Sequence, residues 1–180
     1  MNGHTAFDRL RSRQGMTLIE LCIVIVILGI LLVVAVASLQ RARMMANESS
    51  AIAILQTINK AQFAYASECG RGHYAASLTQ LGGTRPGRDQ SYLAEDIGIA
   101  NFPQRNGYTF NVRGGAASIP GLSDCNNAAT RTTYYASAVP SALSRTGSRS
   151  FATSQANGIW QTQGGVPPTE PLGPPSEYVR

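Results

Sequence analysis

The chain has few of the residues on which enzymes and metal sites depend. Its 180 residues include two histidines and three cysteines, with no His pair at metal-ligand spacing, no Cys-x-x-Cys pair and no glycine-rich phosphate loop. A serine hydrolase triad would need His73 as its base, and a single histidine in a glycine-rich turn is most often a solvated side chain. The one adjacent acidic pair, Glu95-Asp96, is weak evidence for calcium. We therefore expect no catalytic residues, no enzyme activity, and no bound cofactor or metal ion.

The chain also lacks charge over one long stretch. No acidic or basic residue lies between Glu20 and Arg41, and residues 21–39 are mostly Val, Ile, Leu and Ala. As a helix this stretch would be about 28 Å long, which is close to the hydrocarbon thickness of a bilayer. It therefore predicts a transmembrane helix. Because basic residues flank both of its ends, the positive-inside rule favours a cytoplasmic N-terminus only weakly.

The residues in front of this stretch form a specific pattern. Three arginines, Arg9, Arg11 and Arg13, precede the block Gly15-Met16-Thr17-Leu18-Ile19-Glu20. A carboxylate at the mouth of a membrane-length helix is costly in hydrocarbon and usually marks a function. The block resembles the leader and the start of type IV pilins and pseudopilins, which read G-[FM]-T-L-[IV]-E before an apolar helix. Every position of that pattern is filled here.

The resemblance implies a processing pathway. A prepilin peptidase would cut between Gly15 and Met16, and the new amine of Met16 would be methylated. Residues 1–15 would then be a leader, and Glu20 would be the fifth residue of the mature chain. In that position its carboxylate would pair with the Met16 amine of a neighbouring subunit. Glycine suits the cleavage site because it has no side chain to obstruct a peptidase.

The same resemblance implies a location and a set of partners. The protein would be a single-pass cytoplasmic (inner) membrane protein with its head outside the cytoplasm, later assembled into a periplasmic or extracellular filament. Its partners would be the prepilin peptidase/methylase, copies of itself and other pilins, and an inner-membrane assembly platform, with no small-molecule substrate. One departure is that the proline usual in the family's apolar helix is replaced by Ala37, which suggests a straighter helix.

Two other interpretations of the N-terminal segment remain open. An ordinary secretory signal peptide would fit the basic start, the apolar stretch and a cleavage site at Ala35-Val36-Ala37, but it would place Glu20 inside its apolar region. A plain membrane anchor would leave Glu20 as an interfacial residue. In either case the protein would be a secreted or membrane-anchored binding domain.

The helical pattern continues beyond the apolar stretch. Apolar residues recur at three- and four-residue steps and predict an amphipathic stripe, which consists of Ala51, Ile54, Leu55, Ile58, Ala61 and Tyr65. We expect the polar residues to lie on the opposite face, namely Glu48, Ser49, Asn59, Lys60 and Ser67. No proline occurs in residues 16–69, and Gly70 with Gly72 supplies a stop signal. These features predict one helix of about 50 residues, with a membrane half at 16–40 and an amphipathic half at 41–69.

After this helix the sequence is rich in Gly, Ser, Thr, Asn and Tyr. Four short runs predict strands at residues 107–113, 132–139, 149–153 and 158–162, and the Asn157-Gly158 dipeptide between the last two is a hairpin signal. We therefore predict an α+β fold in which the amphipathic half of the helix packs against a small antiparallel sheet, similar to the globular heads of pilins. The head would cover residues 70–165, and the proline-rich residues 166–180 would form an extended tail.

The three cysteines have different predicted roles. Cys22 lies in the membrane helix and is expected to pack there, whereas Cys69 ends the long helix and Cys125 lies in a polar loop. Two cysteines in a domain outside the cytoplasm favour a disulfide, Cys69–Cys125, and closing that loop would stabilise the fold by about 4 kcal/mol. Two free thiols are the alternative in a reducing compartment.

Taken together, these features predict a structural subunit of a type IV pilus-like filament. A pseudopilin of a type II secretion system has the same N-terminus and is the alternative, although the long helix and the disulfide favour a pilin. Arginines with nearby tyrosines could form a nucleic-acid surface as in competence pilins, namely Arg71, Arg85, Arg88, Arg105, Arg113, Arg131, Arg145 and Arg149. Without the leader, however, the chain has 12 basic and 9 acidic residues, a net charge of +3, which is no nucleic-acid footprint by itself.

Overall fold

The computed structural model describes residues 15–179, so residues 1–14 of the predicted leader lie outside the described residues. The chain divides into two units, one ending at Leu39 and one beginning at Gln40, and each is described by itself. The first unit contains the apolar stretch. The second contains the amphipathic stripe and all of the strands.

The long predicted helix is confirmed. Helix α1 spans Leu18–Glu68, 51 residues, and contains no break at Ala37. It ends where Arg71 and Gly72 take the left-handed conformation, with φ values of 52° and 85°. Two amides, those of Cys69 and Gly70, donate to the Tyr65 carbonyl there and so satisfy the end of the helix.

The elements that follow α1 are short helices and antiparallel strands. They are β1 (Tyr74–Ala75), α2 (Leu78–Leu81), α3 (Glu95–Gly98), β2 (Gln104–Arg105), β3 (Tyr108–Gly114), β4 (Thr130–Arg131), β5 (Tyr134–Pro140), β6 (Arg149–Ser154), β7 (Ile159–Gln163) and β8 (Glu177–Tyr178). Six strands form one antiparallel sheet in the order β2-β3-β5-β6-β7-β8, and β1 pairs with β4. The four strands expected from the sequence are the four longest, and they are neighbours in this sheet.

The second unit has one hydrophobic core between α1 and the sheet. All six residues of the predicted stripe are buried, and the three on its central turn, Leu55, Ile58 and Ala61, are at most 4% exposed. The alternating residues of β3 meet them from the sheet, since Tyr108 and Phe110 are fully buried in the same cluster. The arrangement is the α+β, pilin-like fold expected from the sequence.

The polar face of the helix differs from the expectation at two positions. Ser49, Lys60 and Ser67 are exposed as predicted, but Glu48 is 4% and Asn59 1% exposed. Both are buried because the sheet supplies polar partners for them. The Glu48 carboxylate accepts from Arg149, and the Asn59 side-chain oxygen accepts from the Tyr134 hydroxyl at 2.8 Å.

The proline-rich segment from Val166 onward packs against the sheet. Its strand β8 pairs with β7, and the Val179 amide donates to the Ile159 carbonyl at 2.9 Å. Upstream of β8 the Pro168 carbonyl accepts from the buried Tyr135 hydroxyl at 2.5 Å. The segment bends at residues 170–171 and turns at residues 174–175, so it is not one extended tail, and it covers an edge of the sheet along part of its length.

Candidate functional site

The predicted cleavage site lies in an open, non-helical segment. Residues 15–17 precede α1, and Met16 is 64% exposed. A side chain built on Gly15 meets no atom within 4 Å among the described residues. Nothing among the described residues therefore requires glycine at this position. A requirement for glycine there would have to come from a molecule that binds the segment.

Helix α1 begins with a capped first turn. The Thr17 side-chain oxygen accepts from the Glu20 amide at 3.2 Å, and the Thr17 carbonyl accepts from the Leu21 amide at 3.1 Å. Thr17 is therefore the N-cap and Glu20 the third residue of the helix, which is the spacing of a capping box. The Thr-Leu-Ile-Glu part of the motif thus has a local role, since it starts the helix two residues after Met16.

The Glu20 carboxylate has no ion-pair partner among residues 15–179. A negative charge in the first helical turn interacts favourably with the helix dipole, typically by about 0.3–1 kcal/mol. That stabilisation is small compared with the free-energy cost of an unpaired charge in hydrocarbon, which is several kcal/mol. Among the described residues Glu20 is exposed and is not covered by the rest of the chain.

The apolar part of α1 is exposed on all sides. The large hydrophobic side chains from Leu18 to Leu39 whose placement is described are 43–81% exposed, and they have no packing partner in the first unit. Among the described residues, α1 is the helix that is long and apolar enough to cross a membrane. Exposed apolar surface of this extent marks a membrane or protein-interaction segment.

Buried polar contacts join α1 to the sheet in the second unit. The Glu48 carboxylate accepts from the Ser148 amide at 2.8 Å and from Arg149 at 2.5 and 2.9 Å. Burial opposes ionisation of Glu48, but the hydrogen bonds from Ser148 and Arg149 outweigh it and lower the pKa of this carboxyl. Further along, Asn59 bonds both the Tyr134 hydroxyl and Thr153 of β6. The sheet is therefore held on α1 by charge and hydrogen bonds as well as by apolar packing.

A disulfide joins Cys69, just after α1, to Cys125. The neighbouring Asp124 is 3% exposed, and its carboxylate accepts from the Tyr65 hydroxyl at 2.6 Å and from the Ala128 amide at 2.7 Å. Burial opposes ionisation of Asp124, but these hydrogen bonds outweigh it and lower the pKa of this carboxyl. The disulfide and Asp124 together fix the polar loop to the end of the helix.

Sequence reasoning missed Asp124 and the burial of Glu48. A single Asp in a polar loop has no periodicity, and a Glu next to a Ser in an amphipathic helix suggests solvent. The one available signal for Asp124 was its position directly before Cys125, because a disulfide loop next to a helix end brings its polar neighbours into the core.

The other candidate residues do not form a reactive site. The His73 ring packs against Gly121, where a side chain would come within 2.7 Å of it. Asp96 is occupied by an ion pair with Arg105, so the acidic pair does not present two free carboxylates. Among the described residues no group of three or more His, Cys, Asp or Glu side chains could hold a metal ion.

The arginines considered for a nucleic-acid surface differ in whether they form an ion pair with a carboxylate. Four are in ion pairs with carboxylates, namely Arg85 with Glu68, Arg105 with Asp96, Arg113 with Glu170 and Arg149 with Glu48. An arginine that is paired in this way contributes little positive potential to its surface. The described residues therefore do not gather all of these arginines into one basic face.

Comparison with known families identifies the N-terminal segment. Residues 10–36 match the family model described as the prokaryotic N-terminal methylation motif, which is the signal of type IV pilins and pseudopilins. Neither the curated proteins nor the solved structures contain a significant match to the chain. The matched residues include the Gly15–Glu20 block and most of the apolar stretch. The motif supports a membrane-anchored subunit of the pilin or pseudopilin type, a structural class of protein.

Proposed function

We propose that this chain is the structural subunit of a type IV pilus-like filament. The observation that supports this most is the methylation motif at residues 10–36, directly before and within an apolar helix whose sides are all exposed. A soluble domain would be penalised by that exposed surface, whereas a membrane and then a filament core would cover it.

Maturation is the first step of the proposal. Prepilin peptidase cuts between Gly15 and Met16 and methylates the Met16 amine. The exposed, non-helical segment 15–17 suits this step, because a peptidase must bind its substrate in an extended form. Residues 1–15 are thus the leader, residues 16–40 the membrane and assembly helix, and residues 41–69 the part of the same helix inside the head. The head itself is 70–165, with the proline-rich segment 166–180 packed on it.

Before assembly, the mature subunit stays in the cytoplasmic membrane with its head outside the cytoplasm. Residues 21–39 match the hydrocarbon thickness of the membrane. The inner-membrane assembly platform then extracts the subunit into a periplasmic or extracellular filament.

Assembly depends on Glu20 in this proposal. Its carboxylate pairs with the methylated Met16 amine of a neighbouring copy or another pilin. Removing one partner of an ion pair in a low-dielectric environment typically costs about 3–5 kcal/mol, because the remaining charge is left unpaired. The pairing therefore selects the correct register of one helix against the next.

A pseudopilin of a type II secretion system is the second candidate, because it shares the whole N-terminal motif. The 51-residue helix and the disulfide-tied head favour the pilus subunit. The two differ in the filament that takes up the protein, so purified pili from the native cell are the material that separates them.

The test replaces Glu20 by Ala, with Glu20→Asp as the control that keeps the charge. We expect all forms to mature to a chain that starts at Met16 and has one added methyl group, as measured by intact mass. Glu20→Ala should be absent from sheared pili, and Glu20→Asp should retain part of the assembly.

Two results would contradict the proposal. Assembly of Glu20→Ala at the wild-type level would remove the role of the carboxylate. A mature chain starting at Ser38 would show an ordinary signal peptide and a secreted binding domain instead.

A further inference from the structure

A small cavity lies at the start of the second unit. It has a volume of about 220 Å³ and is lined by Gln40, Arg43, Met44, Ser144 and Arg145. Two guanidinium groups, an amide and a hydroxyl thus surround one space, with a methionine as the apolar part. Arginine forks match the oxygens of phosphate groups, so this composition suits a phosphate ester.

The loop that supplies half of the cavity, residues 141–147 between β5 and β6, is ordered by its own hydrogen bonds. The Ala142 carbonyl accepts from the Arg145 amide at 3.1 Å and from the Thr146 amide at 2.9 Å. The Asn47 side chain of α1 donates to the Thr146 carbonyl at 2.9 Å, which fixes the loop to the helix. Arg145 is therefore presented from a preorganised backbone, which lowers the entropy lost on binding.

The positive charge at this cavity is not neutralised by the chain. Arg41, Arg43 and Arg145 are all exposed, and none of them pairs with a carboxylate among residues 15–179. The nearby Glu48 carboxylate is occupied by Ser148 and Arg149. The cavity thus presents two cations that are not paired with a carboxylate among the described residues, and Arg41 next to it in the sequence is a third. Leu143 on the same loop adds an apolar side chain that is 50% exposed.

In the sequence, the α1 residues that line this cavity follow the apolar stretch closely. Gln40 follows the apolar stretch directly, and Arg43 comes four residues after Leu39. At the helical rise this distance is about 6 Å, which is within the headgroup layer that borders the hydrocarbon. The phosphate groups of that layer are those of lipid headgroups.

We propose that this cavity binds the phosphate of an anionic phospholipid headgroup while the subunit waits in the membrane. Arg43 and Arg145 hold the phosphate oxygens, Ser144 and Gln40 donate to the remaining oxygens, and Leu143 contacts the upper acyl region. Arg41 adds attraction to the surrounding anionic surface. The inference rests on the proposed membrane anchoring and does not depend on which filament is served.

The test uses the full chain, one copy per nanodisc, in phosphatidylcholine alone or with about 30% phosphatidylglycerol. Single copies exclude contacts with a second subunit. Hydrogen exchange is followed by mass spectrometry in the peptide that contains residues 141–147. A basic side chain near an anionic surface raises binding by roughly fivefold, so we expect exchange there to slow by at least about fivefold in the anionic discs.

The double variant Arg43→Gln/Arg145→Gln should lose this protection. Arg71→Gln/Arg88→Gln removes the same charge from exposed arginines elsewhere and should keep it. Unchanged exchange in the core strands β5 and β6 shows that each variant is folded.

Three results would overturn the inference. Equal exchange in both lipid compositions would exclude binding of an anionic headgroup. Equal loss of protection at residues 141–147 in the two double variants would show that the protection depends only on net charge. Protection by a short DNA duplex in phosphatidylcholine discs would assign the cavity to nucleic acid. Failure of the chain to enter either disc would overturn the membrane anchoring as well, which distinguishes that outcome from the other three.

Discussion

The residues of the N-terminal motif differ in whether the fold of the chain itself requires them. Thr17 caps α1 and Glu20 lies in its first turn, so both have a local role in starting the helix. Gly15 has none among the described residues, which leave open space around it. The motif that residues 10–36 match implies processing by a prepilin peptidase, and a peptidase that binds this segment closely would favour glycine there.

Replacing Gly15 by Glu should therefore block maturation without harming the fold. We expect the full-length precursor to accumulate in the membrane, because the new side chain obstructs the peptidase. Intact mass of the membrane fraction measures the effect, and the thermal midpoint of the head should stay unchanged. Gly15→Ala, which adds one methyl group, should be processed at least in part. Normal maturation of Gly15→Glu would exclude prepilin-type processing.

At the scale of elements, the C-terminal strand protects the sheet. Strand β8 is two residues long, yet it pairs with β7, which would otherwise be an edge of five residues. Tyr178 packs edge-on against Trp160, with ring centroids 5.6 Å apart. Unpaired edge strands are templates for association with other chains. The proline-rich segment is therefore a cover, and its prolines limit how far it can itself extend the sheet.

Truncation after Gly165 tests this element. It removes β8 and the Pro168 carbonyl that accepts from Tyr135, so we expect the head to lose about 1–3 kcal/mol of unfolding free energy. The exposed edge should also produce concentration-dependent oligomers, which light scattering detects. Deletion of residue 180 alone is the control and should behave as wild type. A truncated chain that stays monomeric and equally stable would contradict the covering role.

The elements that the sequence predicted are those with a repeating pattern. Helix α1 has its stripe, and β3, β5, β6 and β7 have alternating residues or a hairpin signal. The strands β1, β2, β4 and β8 are two residues long, which is too short for an alternating pattern. They are strands because they pair with neighbouring strands, and the local sequence does not indicate this. Glu48 was misplaced for a similar reason. Its charge predicts a solvent-exposed position, and the local sequence does not indicate that Arg149, 101 residues later, donates hydrogen bonds to it.

At the scale of the whole second unit, stability depends on two buried carboxylates. The Glu48 and Asp124 pKa values are both lowered in the folded protein by the hydrogen bonds described above. A carboxylate with a lowered folded pKa stabilises the native state above its unfolded pKa, about 4. That contribution is lost as the pH falls through the folded pKa. The head should therefore be fully stable near neutral pH and weaken in acid.

Urea unfolding between pH 7 and pH 3 checks this, with Trp160 on β7 as the fluorescent reporter. We expect the unfolding free energy to fall below about pH 5. Asp124→Asn should be less stable at pH 7 by about 1–3 kcal/mol, because its amide would face the Gln80 amide, donor to donor. It should also show a shallower pH dependence. Parallel curves for the two proteins would assign the acid sensitivity to other groups.

The sequence separation between α1 and its contact partners also determines the order in which these contacts can form during synthesis. Glu48 meets Arg149 101 residues later, and Asn59 meets Thr153 94 residues later. The two joined cysteines are 56 residues apart. A chain made from its N-terminus therefore has both disulfide partners available before β5, β6 and β7 exist. Contacts this distant in sequence slow folding, so the polar contacts of Glu48 and Asn59 can form only after most of the chain has been made. A disulfide formed before them would shorten the search that remains, because it would already have closed one large loop.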